Sequence, residues 1–250
     1  MYLSIVIPAY NESKNFEKGA LEKVRQYLNS VEYAYEVLVV DDGSTDGTQK
    51  LIEDFCKKNK HFKFIAQAHR GKAYTIYNGV CRAKGELVLF TDFDQATPLK
   101  EVEKLISYIE KGYEIAIGSR EIKGAKREKE PFYRHLMGKG FNMVVRLVAL
   151  GGIADTQCGF KLFKRDVIQK LYAKTCVYSP KSDKVLKHAF TGAVDVELLF
   201  IAKKMAYKVA EIPVAWEYYS TVRVNPIRDS LLMFFDVLKI RQCALLGKYE

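Results

Sequence analysis

Leu87–Phe90 (LVLF) is an unbroken apolar run, and Asp92 and Asp94 follow at its end in the stretch ELVLFTDFDQATP. A strand that is apolar on both faces must be covered on both, as a central strand of a parallel sheet is by helices above and below. Ligands of such sheets bind outside the carboxyl ends of the strands, so acids placed there face a crevice and not the core. Side chains one residue apart in extended chain point the same way, which sets the two carboxylates side by side. They repel unless a cation lies between them and the oxygens of a ligand, a need that a hard divalent ion holding a diphosphate meets. A lone D-x-D is more often a solvated acidic turn, here closed by Pro98, so the rest of the chain has to decide.

Strand and helix patterns alternate on either side of this run. Residues 4–8 (SIVIP), 36–40 (EVLVV), 62–66 and 114–117 read as strands. Residues 15–28, the segment from Thr48, and residues 74–84 and 99–111 carry apolar side chains at helical spacing, as Val102, Leu105, Ile106 and Ile109 do in the last of these. The alternation predicts an α/β fold, a doubly wound and mostly parallel sheet with helices on both faces. Tyr10 and Glu12 fall in the loop after the first strand. The second strand ends in VVDDGSTDGT, where Gly43 permits a tight turn and Ser44, Thr45 or Asp46 caps the next helix. That edge suits a nucleotide and is equally an ordinary strand-to-helix turn. The glycine motifs of P-loop ATPases and of dinucleotide-binding dehydrogenases are both missing.

From residue 120 to 139 the alternation gives way to a basic segment with Lys123, Lys126, Arg127, Lys129 and Arg134, followed by an amphipathic helix over 141–150. The segment 155–161 (DTQCGFK) reads as a polar loop, residues 164–171 as a helix, and Asp195 and Glu197 sit at the start of another helix. Residues 208–214 form a last strand that Pro213 marks as an edge. Ile227, Leu231, Phe234, Phe235, Leu238 and Leu245 then keep helical spacing beside Arg228, Lys239, Arg241 and Lys248, so this helix either packs on the core or lies on a membrane. The expected division is a domain over residues 1–220 and an amphipathic C-terminal helix over 221–250.

A net charge of +10 calls for an anionic partner. Without zinc-ligand spacing or a basic helix joined to heptads, nucleic acid is not expected to be that partner. Five cysteines, odd in number and never in C-x-x-C, point to reduced thiols and a cytoplasmic protein. No signal peptide is read, and no segment reaches the roughly twenty apolar residues of a spanning helix. The protein is therefore expected to be peripheral, at the cytoplasmic face of a membrane.

Taken in order, SIVIPAYNE, VVDDGSTDGT, FTDFDQATP, IGSR and DTQCGFKLF resemble the inverting GT-A glycosyltransferases of family 2, which use nucleotide sugars. Within that family DTQCGFKLF and AVDVELL are most similar to the dolichyl-phosphate β-glucosyltransferases and their polyprenyl-phosphate relatives. The resemblance covers roughly residues 3–220. It implies that Pro8, Ala9, Tyr10 and Glu12 surround the nucleoside, with Val40 and Asp42 or Asp41 beside base and ribose. It also implies that Asp92, Phe93 and Asp94 meet the diphosphate, with Asp92 and Asp94 holding Mg²⁺ or Mn²⁺, and that Lys72, Arg120 and Arg134 bind phosphate. The family's G-K-G-x-A-x-R becomes Gly71-Lys72-Ala73-Tyr74-Thr75-Ile76-Tyr77, and Ala96 stands where the mannosyl branch has a metal-assisting glutamine, so a third protein ligand is in question.

The activity so implied is inverting transfer of glucose from UDP-glucose to a polyprenyl phosphate of the dolichyl type. A phosphate monoester is largely ionised at pH 7 and needs no strong base. A hydroxyl acceptor would need one, for which Asp195 or Asp155 is the candidate. Alternatives are GDP-mannose as donor, a glycan hydroxyl as acceptor, or a non-catalytic basic membrane-binding protein.

Overall fold

The computed structural model describes residues 1–131, 135, 138–140, 142, 143, 145, 148–180, 192–219 and 226–250. Nine strands are described: β1 (Leu3–Ala9), β2 (Tyr35–Asp41), β3 (Phe62–Ala66), β4 (Leu87–Phe90), β5 (Ile115–Ser119), β6 (Lys126–Glu128), β7 (Lys161–Lys164), β8 (Val209–Pro213) and β9 (Ala215–Glu217). The helices are α1 (Ser13–Glu17), α2 (Ala20–Leu28), α3 (Thr48–Lys58), α4 (Lys72–Arg82), α5 (Val102–Glu110), α6 (Arg165–Ala173), α7 (Val194–Lys204) and α8 (Pro226–Leu245). Where one helix is expected over 15–28 there are two, because Gly19 takes a left-handed φ of 77° between α1 and α2.

Seven strands form one sheet in the order β3-β2-β1-β4-β7-β5-β8, and β6 pairs with β9 in a small parallel ribbon. Strands β1 to β4 run parallel, as do β5 and β8, and β7 lies antiparallel between β4 and β5. The chain winds outward from β1 through β2 and β3, then returns to place β4 on the other side of β1. The β1–β4 seam is thus a topological switch point, where a crevice opens. Their pairing ends at Val6 opposite Phe90, while β1 runs on to Ala9. Residues 91–94 are thereby left to turn beside Pro8 and Tyr10.

Alternate residues of the central strands feed two cores. Val6, Leu38, Val40, Val88, Phe90 and Phe163 pack against Ile76 and Val80 of α4 and against α6, α7 and α8. Ile5, Ile7, Val37, Val39, Leu89 and Leu162 pack against Leu21 and Val24 of α2, Ile52 of α3 and the apolar face of α5. This two-sided burial is what the LVLF run requires.

Two expectations need correction. The polar stretch from Asp155 does not stay a loop: Lys161 begins β7, and its side chain is buried beside Asp195 at 2.6 Å. A buried lysine reads as polar surface in sequence because its neutralising partner lies 34 positions away. The cysteines are not all thiols either. Cys176 and Cys243 form a disulfide across 67 positions, tying the segment after α6 to α8, and Cys56, Cys81 and Cys158 are free. Linear spacing cannot show which cysteines meet in the fold.

Candidate active site

A cleft of about 740 Å³ opens at the carboxyl ends of β1, β2 and β4. It brings together Pro8, Ala9, Tyr10 and Glu12 after β1, Asp42 after β2, Lys72 at the start of α4, Asp92, Phe93 and Asp94 after β4, and Arg120 after β5. Each belongs to a strand end or a helix start, and the topology is what makes them neighbours. Val40 and Asp41 lie outside the lining and are fully buried. The Asp41 carboxylate builds the DDGS turn, accepting hydrogen bonds from the Gly43 and Ser44 N–H groups (both 3.0 Å) and from Gln49 Nε2 (2.7 Å). Arg134 lies outside the described residues.

Asp42 organises the side of the cleft next to Tyr10. Its Oδ1 accepts from Gln67 Nε2 and the Arg70 N–H, both at 2.8 Å, and its Oδ2 accepts from the Gly71 N–H at 2.9 Å and contacts His69 Nδ1 at 2.7 Å. The His69 ring stacks on Tyr10 with centroids 4.1 Å apart and planes 8° from parallel. In sequence, His69-Arg70-Gly71-Lys72 after the third strand reads as a run where cations could meet phosphate; the structure sets His69 on Tyr10 and Asp42.

Three ion pairs adjoin the cleft: Lys72, Asp92 and Arg120 line it, and Asp155, Lys161 and Asp195 lie outside the lining. Lys72 Nζ lies 2.5 Å from Asp92 Oδ1, and burial works against its charge, yet Asp92, Asp195 and Asp94 together hold the ammonium above the ordinary lysine range. Arg120 clasps Asp155 through Nε (2.7 Å) and Nη2 (3.0 Å) and adds its own backbone N–H (3.0 Å). Burial alone would raise the Asp155 pKa, but the guanidinium outweighs it and brings the carboxyl down to about 2. Lys161 and Asp195 make the third pair, almost wholly shielded from solvent. Asp155 and Asp195, the two candidate bases, are thus both held in buried ion pairs, and neither lines the cleft.

Asp94 is the carboxylate left over. No lysine or arginine among the described residues comes within ion-pair distance of it, and it accepts a hydrogen bond from the Ala96 N–H at 3.0 Å. Burial, then the neighbouring Asp92 charge, pushes its pKa up to about 6. An anionic site short of one cation suits a divalent ion. Yet among the described residues no group of three His, Cys, Asp or Glu side chains could hold one. Asp92 and Asp94 therefore fit a cation whose remaining ligands are water and substrate oxygens.

Backbone detail fixes this corner. Gln95 adopts a left-handed φ of 54° and sends Nε2 to the Asp92 carbonyl at 2.8 Å, bending the chain between the aspartates and β9. The Glu217 N–H of β9 then donates to the Ala96 carbonyl at 2.8 Å, carrying Trp216, Tyr218 and Tyr219 to the cleft. The Trp216 ring centroid lies 5.3 Å from the Arg120 guanidinium. From the other side Gly159 comes so close that a Cβ there would lie 2.0 Å from Asp92 Oδ2. The DTQCGF stretch thus contributes a missing side chain as well as Gln157, which also lines the cleft. Sequence reading missed Trp216, Tyr218, Tyr219 and Gln157; the available signals were the chain's single tryptophan and the polar residue inside DTQCGF.

Comparison with known proteins places this arrangement. A sequence model of glycosyl transferase family 2 matches residues 4–172. The dolichyl-phosphate beta-glucosyltransferase of Dictyostelium discoideum is 31% identical over 100% of this chain and 77% of its own length. That of Homo sapiens is 34% identical over 99% of this chain and 77% of its own length. Among solved structures, glucosyl-3-phosphoglycerate synthase from Mycobacterium tuberculosis, crystallised with Mn²⁺, UDP and glucosyl-3-phosphoglycerate, superposes with a TM-score of 0.64 at 17% identity, covering 99% of this chain and 79% of that one. With its GT-A α/β sheet and its cleft at the β1–β4 seam, the chain belongs to glycosyl transferase family 2 and is a glycosyltransferase.

Proposed function

We propose that this enzyme transfers glucose from UDP-glucose to a polyprenyl phosphate of the dolichyl type, with inversion at the anomeric carbon and a divalent cation, Mg²⁺ or Mn²⁺. Likeness to dolichyl-phosphate beta-glucosyltransferases along the whole chain supports this substrate pair. One observation of the site carries it further: the two carboxylates that could have served as bases are both neutralised in buried ion pairs. With Asp94 assigned to the cation, a hydroxyl acceptor could draw on neither of them as its base, whereas a phosphate monoester reaches the site already ionised.

In this reading the cleft beside Tyr10, His69 and Asp42 takes the nucleoside, and Lys72 and Arg120 face the anionic groups. Arg120 spends two of its five N–H donors on Asp155, which locks the guanidinium plane and leaves three for phosphate oxygens. The ion at Asp92 and Asp94 would offset the charge that builds on the departing diphosphate. Lys72, drawn between Asp92 and the leaving group, adds a second positive charge there. Among the described residues no helix is long and apolar enough to cross a membrane. In this reading the enzyme meets its lipid acceptor from the cytoplasmic face as a peripheral protein.

The test is transfer assayed with purified chain, dolichyl phosphate and Mn²⁺, using UDP-glucose and GDP-mannose in parallel. Lipid-linked glucose that forms from UDP-glucose and disappears with EDTA is expected. Lipid-linked mannose in its place, or donor hydrolysis without any lipid product, would overturn the assignment.

A further inference from the structure

The α8 helix is apolar on two opposite sides, and the fold covers one of them. Val237 and Ile240 are fully buried and pack into the core with α7, and the Asp236 carboxylate beside them accepts a hydrogen bond from Tyr178 Oη. On the other side Leu231, Phe235, Leu238 and Leu245 fall within about 80° of one another at ~100° per residue. Among the described residues eight large apolar side chains are exposed, and six of them stand on α8 or the turn after it: Leu231, Leu232, Phe235, Leu238, Leu245 and Leu246, between 41% and 76% exposed. So concentrated an apolar strip marks an interaction surface.

Two observations identify what covers it. Basic residues flank the strip, with Arg228 and Lys239 along one border, Arg241 along the other and Lys248 beyond its end, in a chain of net charge +10. This is the pattern of a helix lying in the plane of an anionic membrane surface. Asp229, in the first turn of the same helix, lines the cleft together with Tyr218 and Tyr219, so the strip starts at the cleft mouth.

We propose that the outer face of α8 docks on an anionic lipid bilayer and so holds the mouth of the cleft at the surface where a lipid-linked phosphate presents its headgroup. The docking face rests on the lipid-phosphate acceptor assigned above. Inside the fold, the Cys176–Cys243 disulfide and the Tyr178–Asp236 hydrogen bond fasten the opposite side of the helix to the protein body.

The experiment is cosedimentation of the intact chain with phosphatidylcholine vesicles and with phosphatidylcholine vesicles containing phosphatidylglycerol. A triple variant, Leu231→Ser, Phe235→Ser and Leu238→Ser, and a charge variant, Lys239→Gln with Arg241→Gln, are run beside it. The parent is expected to bind the anionic vesicles, the triple variant to lose about tenfold in affinity or more, and the charge variant to lose its preference for phosphatidylglycerol. Transfer to dolichyl phosphate in vesicles should fall with the triple variant, while transfer to the water-soluble phosphate of a short isoprenoid alcohol stays unchanged. Should the triple variant fail to fold, Phe235→Trp replaces it, and its added fluorescence must be quenched by brominated lipid. Vesicle binding equal in parent and triple variant, no binding of the parent, no quenching, or a parent dimer that the triple variant dissolves into monomers would each overturn the docking face. Failure of the acceptor reading looks different: the parent binds vesicles but glucosylates neither phosphate.

Discussion

Gly159→Ala puts the smallest possible side chain where the structure has least room for one. The new Cβ would lie 2.0 Å from Asp92 Oδ2, 2.5 Å from its Cγ and 2.8 Å from Oδ1. To regain an ordinary contact the carboxylate has to retreat by about 1.4 Å, and it can, because the Asp92 side chain is 40% exposed and its far end is free to swing. The fold should therefore lose little, ~1 kcal/mol or less. Function should lose far more. The retreat breaks the 2.5 Å ion pair with Lys72 and withdraws one of the two aspartates proposed to hold the cation. A misplacement of about 1 Å at a reacting centre costs on the order of 10²-fold in rate, or ~2.7 kcal/mol of transition-state stabilisation. Thermal denaturation, Mn²⁺-dependent UDP binding and kcat on one preparation separate the two effects. A near-parental Tm with kcat down about a hundredfold is expected. A variant within about threefold of parental kcat would refute the claim that Asp92 must stay where Gly159 lets it sit.

Other outcomes follow from the same charges. Because the Asp94 pKa is raised to about 6, protons compete with the cation, and metal-supported activity should climb as pH rises through 6 and flatten above it, a limb that Asp94→Asn abolishes together with activity. The same raised pKa favours the folded state at about pH 3, below the ordinary carboxyl value, and that contribution is lost as pH rises through 6, so Asp94→Asn should raise Tm more at pH 7 than at about pH 3. Asp155→Ala removes the buried partner of the Arg120 guanidinium, itself half-buried at the cleft wall, and should cost at most about 3 kcal/mol in denaturant unfolding, whereas Asp155→Glu should cost less. Metal bound without nucleotide should be weak, since Asp92 and Asp94 have no third protein partner among the described residues, and calorimetry with Mn²⁺ alone and with UDP should show a gain of tenfold or more from the nucleotide.

The parts of the fold legible in the sequence were those governed by local rules. LVLF is apolar because β4 is covered on both faces, and SIVIP and EVLVV follow the same rule, so the alternation gave a mostly parallel sheet. β7 was hidden because Lys161 looks like surface until Asp195 is placed beside it, and contacts across 34 positions leave no periodic trace. The strand-end acids were legible as candidates, since a strand end has one place to face. Their division of labour was not. Asp41 and Asp42 are adjacent, yet one builds a turn and the other lines the cleft, and only the direction of each side chain distinguishes them. Gln157, Gly159 and Trp216 approach the site along β7 and β9, whose positions depend on long-range pairing. The disulfide was illegible for the same reason.

The central claim is that this cleft serves an acceptor arriving already ionised, because the two candidate bases, Asp155 and Asp195, are bound to Arg120 and Lys161, and Asp94 is assigned to the cation. The most direct measurement compares dolichyl phosphate with dolichol, the same lipid ending in a hydroxyl, under saturating UDP-glucose and Mn²⁺ at pH 7. Turnover with the phosphate and none with the alcohol is predicted. Transfer to the alcohol at a comparable rate would mean that a base operates in the cleft, and would contradict the account.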